Sequence, residues 1–304
     1  MLAPVILFVY NRLDHTQGVI DTLTKNLLAV ESELYVFSDA AKSKKGLDKV
    51  NEVRNFIQDK SWHSKFKKVT IIEAEKNKGL AKSVISGVTK IINEYGKVIV
   101  VEDDLVLNPY FLNYMNDALN FYENKEEIWS ISGYSFPMKS LEKYPHDVFY
   151  SYRGCSWGWA TWKDRWNLVD WEVKDYRNLS QDSEWIKRFN RGGGDLFQML
   201  TNQMEGKIDS WAIRWCFAQS NLEKYTVYPK ISYLGNEGCD GSGTNCGFEG
   251  NNTSMIEREN YLCKFETLKI EKKIAREFYL YYTDTIDKKI VRNLKKIKKR
   301  FLGD

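Results

Sequence analysis

Three consecutive acids, Glu102, Asp103 and Asp104, end the apolar run Val98-Ile99-Val100-Val101 in the stretch KVIVVEDDLVLNPYF. An unbroken β-branched run marks a strand buried on both faces of a parallel sheet, so the carboxylates fall at its carboxyl end. Charge is costly there unless it meets a cation, and open α/β sheets bind ligands at that edge. The chemistry that suits the triplet is a divalent ion with phosphate: magnesium and manganese take one or two carboxylates plus substrate phosphate oxygens. A solvated acidic turn is the plainer reading of any isolated acidic pair. Arg12, Asp39 and Lys78 close other predicted strands. With Asp104 they would gather on one sheet edge, offering cations to phosphates and an acid to a nucleobase edge. Taken singly, each is more readily a helix cap or a surface charge than a ligand.

A second carboxylate, Asp209, lies in KIDSWAIRW, where Trp211, Ile213 and Trp215 suggest an apolar wall. Partial burial would lift its pKa toward the range of a general base. Capping the next helix, by Asp209 or Ser210, is the competing role. Asp164, Asp170, Asp175 and Asp182 are weaker candidates for the base. The spacing of Trp157, Trp159, Trp162 and Trp166 partly matches a helix, so packing in the core is their default role. One or two of them can still line an acceptor sugar, because a flat ring stacks on a pyranose face.

The elements that must carry these residues alternate. Strands are predicted at Pro4 to Tyr10, Leu34 to Phe37, Val69 to Ile72 and Val98 to Val101. Helices between them carry Val19, Ile20, Leu23, Leu27 and Leu28, then Val50, Val53, Phe56 and Ile57, then Leu80, Val84, Val88 and Ile91. Asp14 or Thr16 is expected to cap the first of these helices. Asn108 and Pro109 are expected to open a helix with Phe111, Leu112, Met115 and Leu119 inward. Such alternation implies right-handed βαβ units and a parallel sheet covered on both faces. Shorter strands come next at Ile128 to Ser132, Val148 to Tyr152 and Thr226 to Tyr228. Gly154 to Trp166 reads as a tryptophan-dense helix, with further helices at Trp185 to Phe189, Asp195 to Met204 and Ser210 to Gln219. Asn236 to Asn252 is glycine-rich and reads as a mobile loop, and a last helical region runs from about Phe265 to the end.

Composition narrows the class. The 304 residues are 43% hydrophobic and 28% charged with a net charge of +4, a globular balance too mild for a nucleic-acid binder. Five cysteines without CxxC spacing fit a reducing cytoplasm, with Cys239 and Cys246 free thiols rather than a pair. The opening LAPVILFVYNR is too short to span a bilayer and reads as a core strand. No HExxH, Walker A or GxGxxG motif is present. From Lys288 to Arg300 the chain reads KKIVRNLKKIKKR, with apolar residues near helical spacing. A basic amphipathic helix of this kind can rest on anionic lipid or pack as a solvated terminal helix.

Together these motifs resemble GT-A-fold glycosyltransferases, specifically bacterial family 2 sugar transferases, and are similar to N-acetylglucosaminyltransferase I over most of residues 3–250. VIVVEDDLVLNPYFLNYM carries the most specific part of the likeness. The resemblance implies that Asp104 binds the metal directly, while Glu102 and Asp103 face the ribose, the donor sugar or metal-bound water. It places Tyr10, Asn11 and Arg12 of FVYNR, Asp39 of FSDA and Lys78 in the nucleotide site. Trp157 and Gly158 of GCSWGWATW would border the donor sugar, Asp209 would be the catalytic aspartate, and Trp159, Trp211, Asp240 and Asn245 would serve the acceptor side and closing loop. Two departures stand out: Asp209-Ser210 replaces a pair of adjacent acids, and Asn245 stands where many relatives have a histidine.

The expectation is therefore an α/β, GT-A (Rossmann-like) mostly parallel sheet covered by helices. Residues 1–135 would form the nucleotide-sugar half, residues 136–263 the acceptor half with flexible loop 236–252, and residues 264–304 a basic amphipathic helical tail. Its activity would be a metal-dependent hexosyl or N-acetylhexosaminyl transfer from a nucleoside diphosphate donor, with uridine as the base by resemblance. Inversion at the anomeric carbon, a glycan or lipid-linked glycan acceptor and a role in bacterial surface polysaccharide synthesis complete it. The cofactor would be Mn2+ or Mg2+, and the location cytoplasmic, with peripheral contact to the plasma membrane through the tail. Two rivals stay open: a sugar-phosphate nucleotidyltransferase, which usually carries a glycine-rich basic loop where Asn11-Arg12-Leu13-Asp14 stands, and a non-catalytic glycan-binding protein.

Overall fold

The computed structural model describes residues 1–238 and 262–283. Ten strands form within them: β1 (Val5–Val9), β2 (Glu33–Ser38), β3 (Lys68–Glu73), β4 (Lys97–Glu102), β5 (Leu105–Leu107), β6 (Ile128–Ser132), β7 (Val148–Ser151), β8 (Trp159–Trp162), β9 (Tyr225–Pro229) and β10 (Leu234–Asn236). Eight of them make one sheet in the order β3-β2-β1-β4-β8-β6-β9-β7, while β5 pairs with β10 alone. The α/β architecture is as expected, and β3, β2, β1 and β4 run parallel. Beyond β4 the sheet is mixed, because β8 is antiparallel to both β4 and β6. The acid-bearing strand thus lies between a parallel and an antiparallel neighbour, rather than inside an all-parallel sheet. Strands from residues 1–135 and 136–263 share this sheet, β4 pairing with β8 and β6 with β9.

Period-two alternation explains how the sheet is covered. Val5, Leu7 and Val9 of β1 and Ile99 and Val101 of β4 face one core, shared with the helices Leu13–Thr24 and Phe111–Tyr122. Ile6, Phe8, Val98 and Val100 face the other, against the helix Leu80–Tyr95 and Trp129, Trp159, Trp166, Trp211 and Trp215. A third cluster joins the helices Ser183–Phe189, Leu196–Met204 and Trp211–Asn221.

Several local expectations need correction. Trp159–Trp162 is a central strand, and only Lys163–Trp166 turns helical. The open edge of β4 needs a partner there, and WATW has the β-branched and aromatic content of a strand. Trp159 consequently faces one core and Trp162 the other. The helix after the acids starts at Phe111, because β5 intervenes. Asn108 still acts locally, its side chain accepting the Tyr110 amide at 3.0 Å. Asp14 and Thr16 lie inside the first helix, where the Thr16 hydroxyl donates back to the Arg12 carbonyl, and Leu27 is exposed. Among the described residues of the C-terminal region, Lys272–Tyr281 is helical. The stretch before it runs without regular structure, with Phe265 packed on Tyr114 and Tyr122. Residues 239–261, including Asp240, Asn245 and most of the loop 236–252, and the basic stretch Lys288–Arg300 lie outside the described residues.

Candidate active site

Strand order places β1 and β4 side by side although β2 and β3 intervene in the chain. Their adjacent carboxyl ends form a topological switch point, from which the connections leave in opposite directions. Register pairs Phe8 with Glu102, so the turns after them, carrying Arg12 and Asp103-Asp104, meet over the gap. The Arg12 guanidinium pairs with both carboxylates: Nη2 contacts Asp103 Oδ1 and lies 3.0 Å from Asp104 Oδ2, while Nε lies 3.4 Å from Asp103 Oδ2. Its second terminal nitrogen, Nη1, is buried and has no hydrogen-bond partner among the described residues.

One arginine does not balance three acids. Burial pushes the Glu102 carboxyl up to about 8, the charges of Asp104 and Asp103 push the same way, and Arg12 and a hydrogen bond from Trp211 oppose them. Burial likewise raises Asp103, with Arg12 pulling it back down. Asp104 sits against the end of β10. Its carbonyl accepts the Glu237 amide at 2.9 Å, its Oδ1 is 3.4 Å from Asn236 Nδ2, and a Cβ on Gly238 would collide with its carboxylate. Among the described residues no three His, Cys, Asp or Glu side chains converge to enclose a metal ion. The donor set fits an ion that takes one or two carboxylates and completes its shell with phosphate and water.

Asp39, expected to read a nucleobase edge, has its oxygens engaged elsewhere. Oδ1 accepts the amides of Ala40 at 2.9 Å and Lys78 at 3.0 Å, and Oδ2 accepts the Gly79 amide at 3.0 Å and the Asn77 side chain at 3.1 Å. It clasps the turn that leads into the helix Leu80–Tyr95, so it sets the place from which Lys78 extends. Tyr10 and Asn11 come after β1 at the same edge, the Tyr10 hydroxyl accepting the Lys42 amide at 3.1 Å.

Asp209 reaches that turn from the other side. Its Oδ2 accepts the Ala81 amide at 3.3 Å, where Gly79 at φ +77° leaves no side chain in the way. Ser210, not Asp209, caps the next helix by accepting the Ile213 amide. The Asp209 side chain is 57% exposed, so the partial burial expected of it is not found. The other acids hold local structure: Asp182 caps Ser183–Phe189, Asp170 binds the Glu172 and Lys174 amides, and Asp164 pairs with Arg165.

The glycine-tryptophan segment borders the acids. The Cys155 thiol feels the Glu102 charge and hydrogen-bonds Ser132, and burial raises its pKa. Gly158 has φ +53°, and a Cβ there would strike Leu234 and Phe111. Trp157 is half-buried beside Tyr134. Trp159 and Trp211 cannot stack on a sugar as expected, because both are buried and their rings stack on each other at 4.8 Å. Only the edge of Trp211 serves the site, through Glu102. Asn236 and Cys155 carry no sequence signal that singles them out. A strand as short as β10, with three residues, shows no periodicity to mark its end as part of a site.

No family model and no curated protein matches this chain. Among solved structures it is similar to the S. aureus TarS fragment 1–349, at 14% identity and TM-score 0.42, over 77% of this chain and 60% of that one. A mannosyltransferase from Pyrobaculum calidifontis in complex with GDP-Man and Mn2+ matches at 12% identity and TM-score 0.40, over 72% and 69% of the two chains. A UDP-glucose pyrophosphorylase complexed with UDP-glucose matches at 10% identity and TM-score 0.37, over 76% and 91%. These likenesses are remote, and the chain spans about three fifths of the TarS fragment.

Proposed function

We propose that this chain is a metal-dependent glycosyltransferase of the GT-A type, using a nucleoside diphosphate sugar. The observation that carries the reading is the switch point between β1 and β4, where Arg12, with one buried nitrogen unpaired among the described residues, faces Glu102, Asp103 and Asp104. A diphosphate supplies oxygens for that nitrogen, and a divalent ion supplies the positive charge that Arg12 alone does not give Asp103 and Asp104. Asp104 is the residue assigned to hold the ion, with Asp103 beside it. When bound, Mn2+ or Mg2+ neutralises charge on the leaving diphosphate as a Lewis acid.

The protein's own groups divide the remaining work. Arg12 and Lys78 bind phosphate, Tyr10 and Asn11 flank the nucleoside, and Trp157 with Gly158 borders the sugar. Asp209, exposed yet anchored on the Ala81 amide, takes the proton of the acceptor hydroxyl as its oxygen bonds the anomeric carbon and the carbon–phosphate oxygen bond breaks. Attack opposite the leaving group inverts the centre. Uridine as the base, a hexosyl or N-acetylhexosaminyl group, and a glycan or lipid-linked glycan in surface polysaccharide synthesis are the finer assignments. Peripheral membrane contact is assigned to Lys288–Arg300. No helix among the described residues is long and apolar enough to cross a membrane.

Sugar transfer is preferred over nucleotidyl transfer because the helix Leu13–Thr24 begins close behind β1, ending at Val9, and leaves no room for a glycine-rich phosphate loop. Incubation with Mn2+ and a panel of nucleotide sugars separates the readings. Slow release of nucleoside diphosphate is the expected result. Pyrophosphate release from a nucleoside triphosphate with a sugar phosphate would establish the rival, and no turnover would leave a binding protein.

A further inference from the structure

The segment RGGGD places three glycines in a row at Gly192, Gly193 and Gly194, far from the acid cluster in sequence. Each is a seat with no space for a side chain. A Cβ on Gly192 would lie 2.9 Å from the Tyr152 carbonyl, and one on Gly193, at φ +150°, only 2.7 Å from Arg153 Nη1 and 2.8 Å from Tyr282 Cβ. One on Gly194 would lie 2.7 Å from the Thr283 hydroxyl, which accepts the Gly194 amide at 3.2 Å. The saddle thus admits the end of the helix Lys272–Tyr281 against Arg153.

Arg153 is held from two sides. Its guanidinium makes a paired contact with Asp195, at 2.7 and 3.0 Å, and stacks 3.8 Å from the ring centre of Tyr282. Its carbonyl accepts the Tyr228 hydroxyl at 3.1 Å. The next residues are Gly154, packed on Trp215, and Cys155, which senses Glu102. The helix is itself docked firmly, with Phe278 buried, Tyr281 stacked 3.8 Å from Phe136, and Glu277 accepting the Lys139 and Ser140 amides at 2.8 Å.

We propose that Arg153 is a positioning residue, through which the C-terminal helix holds Gly154–Gly158 in place beside the acid cluster. The consequence for donor binding rests on the functional reading above, but the mechanical link does not. Cys155 serves as a built-in reporter of that segment, because its thiol reacts only when exposed and ionised. The comparison is Tyr282→Ala, which removes the ring over Arg153, with Tyr282→Phe, which keeps it. Maleimide labelling of Cys155, read by peptide mass spectrometry, is expected to quicken about tenfold or more in Tyr282→Ala and stay at the wild-type rate in Tyr282→Phe. Tyr282 also packs on Phe136 and Phe278, so the urea midpoint of Tyr282→Ala is expected to fall, and the rise in Cys155 labelling should exceed what that fall accounts for. An unchanged Cys155 rate in Tyr282→Ala, or a rise that only tracks a lowered urea midpoint, overturns the proposal. Equilibrium dialysis with UDP and Mn2+ forms a second arm, where Tyr282→Ala is expected to bind more weakly and Tyr282→Phe as wild type. Wild type that binds none of UDP, GDP and ADP with Mn2+ would refute the functional reading, and the labelling rates would still decide this one.

Discussion

Replacing Arg12 by Met removes the guanidinium shared by Asp103 and Asp104 while keeping most of the side chain's volume. The three side chains are 19%, 8% and 12% exposed, so little solvent would enter to replace the lost charge. Breaking a buried pair by removing one partner costs about 3–5 kcal/mol, and partial exposure here discounts that to roughly 2–4 kcal/mol. At about 2 °C per kcal/mol for a chain of this size, melting should fall by ~4–8 °C. The assay is thermal unfolding in a chelating buffer at pH 7.5 and pH 5. At the lower pH Glu102 and Asp103, already pushed toward protonation by burial, can neutralise part of the cluster, so the deficit should shrink. A loss below about 0.5 kcal/mol, or one equal at both pH values, would refute the reasoning that this arginine compensates buried charge.

Three further outcomes are expected. Glu102 keeps its proton up to about pH 8 in the folded chain against 4.5 as its reference value, so the unfolded chain binds fewer protons between those values. Metal-free stability should then fall as pH rises through that window and level off above it, and Glu102→Gln should flatten the fall in calorimetric melts. Asp39→Ala strands the Lys78 and Gly79 amides and should cost about 1–2 kcal/mol in urea unfolding, with UDP and other nucleoside diphosphates weakened alike. A loss confined to one base would show that Asp39 reads the nucleobase after all. Asp209→Asn should slow sugar transfer ~10²–10⁴-fold while leaving UDP affinity within a factor of about two, and near-normal turnover would remove Asp209 from the base role.

How much of this is legible without the structure depends on the kind of signal. The strands of the first half are readable because Val5–Val9 and Val98–Val101 are apolar runs set between amphipathic helices, and the acids are readable because they end such a run. Trp159–Trp162 is not, since four residues with a tryptophan at either end satisfy a helix and a strand equally, and the open edge of β4 decides the matter. Asp39 and Asp209 do lie at the edge, but their partners are main-chain amides of the turn before Leu80–Tyr95, and sequence carries no sign of which amides a carboxylate will find. The type and position of Arg12 suggest a phosphate ligand, and its pairing with two acids comes from the β1–β4 register alone. Trp211 suggests a wall for a sugar, whereas tertiary packing buries its faces and leaves its edge for Glu102.

Titration of UDP into the protein by calorimetry, with Mn2+ and then with a chelator, for wild type and Asp104→Ala, tests the central claim most directly. Binding is expected to require the metal and to weaken at least about tenfold, or ~1.4 kcal/mol, when Asp104 is removed. Equal affinity in chelator, or an Asp104→Ala protein that binds UDP with Mn2+ as wild type does, would contradict it.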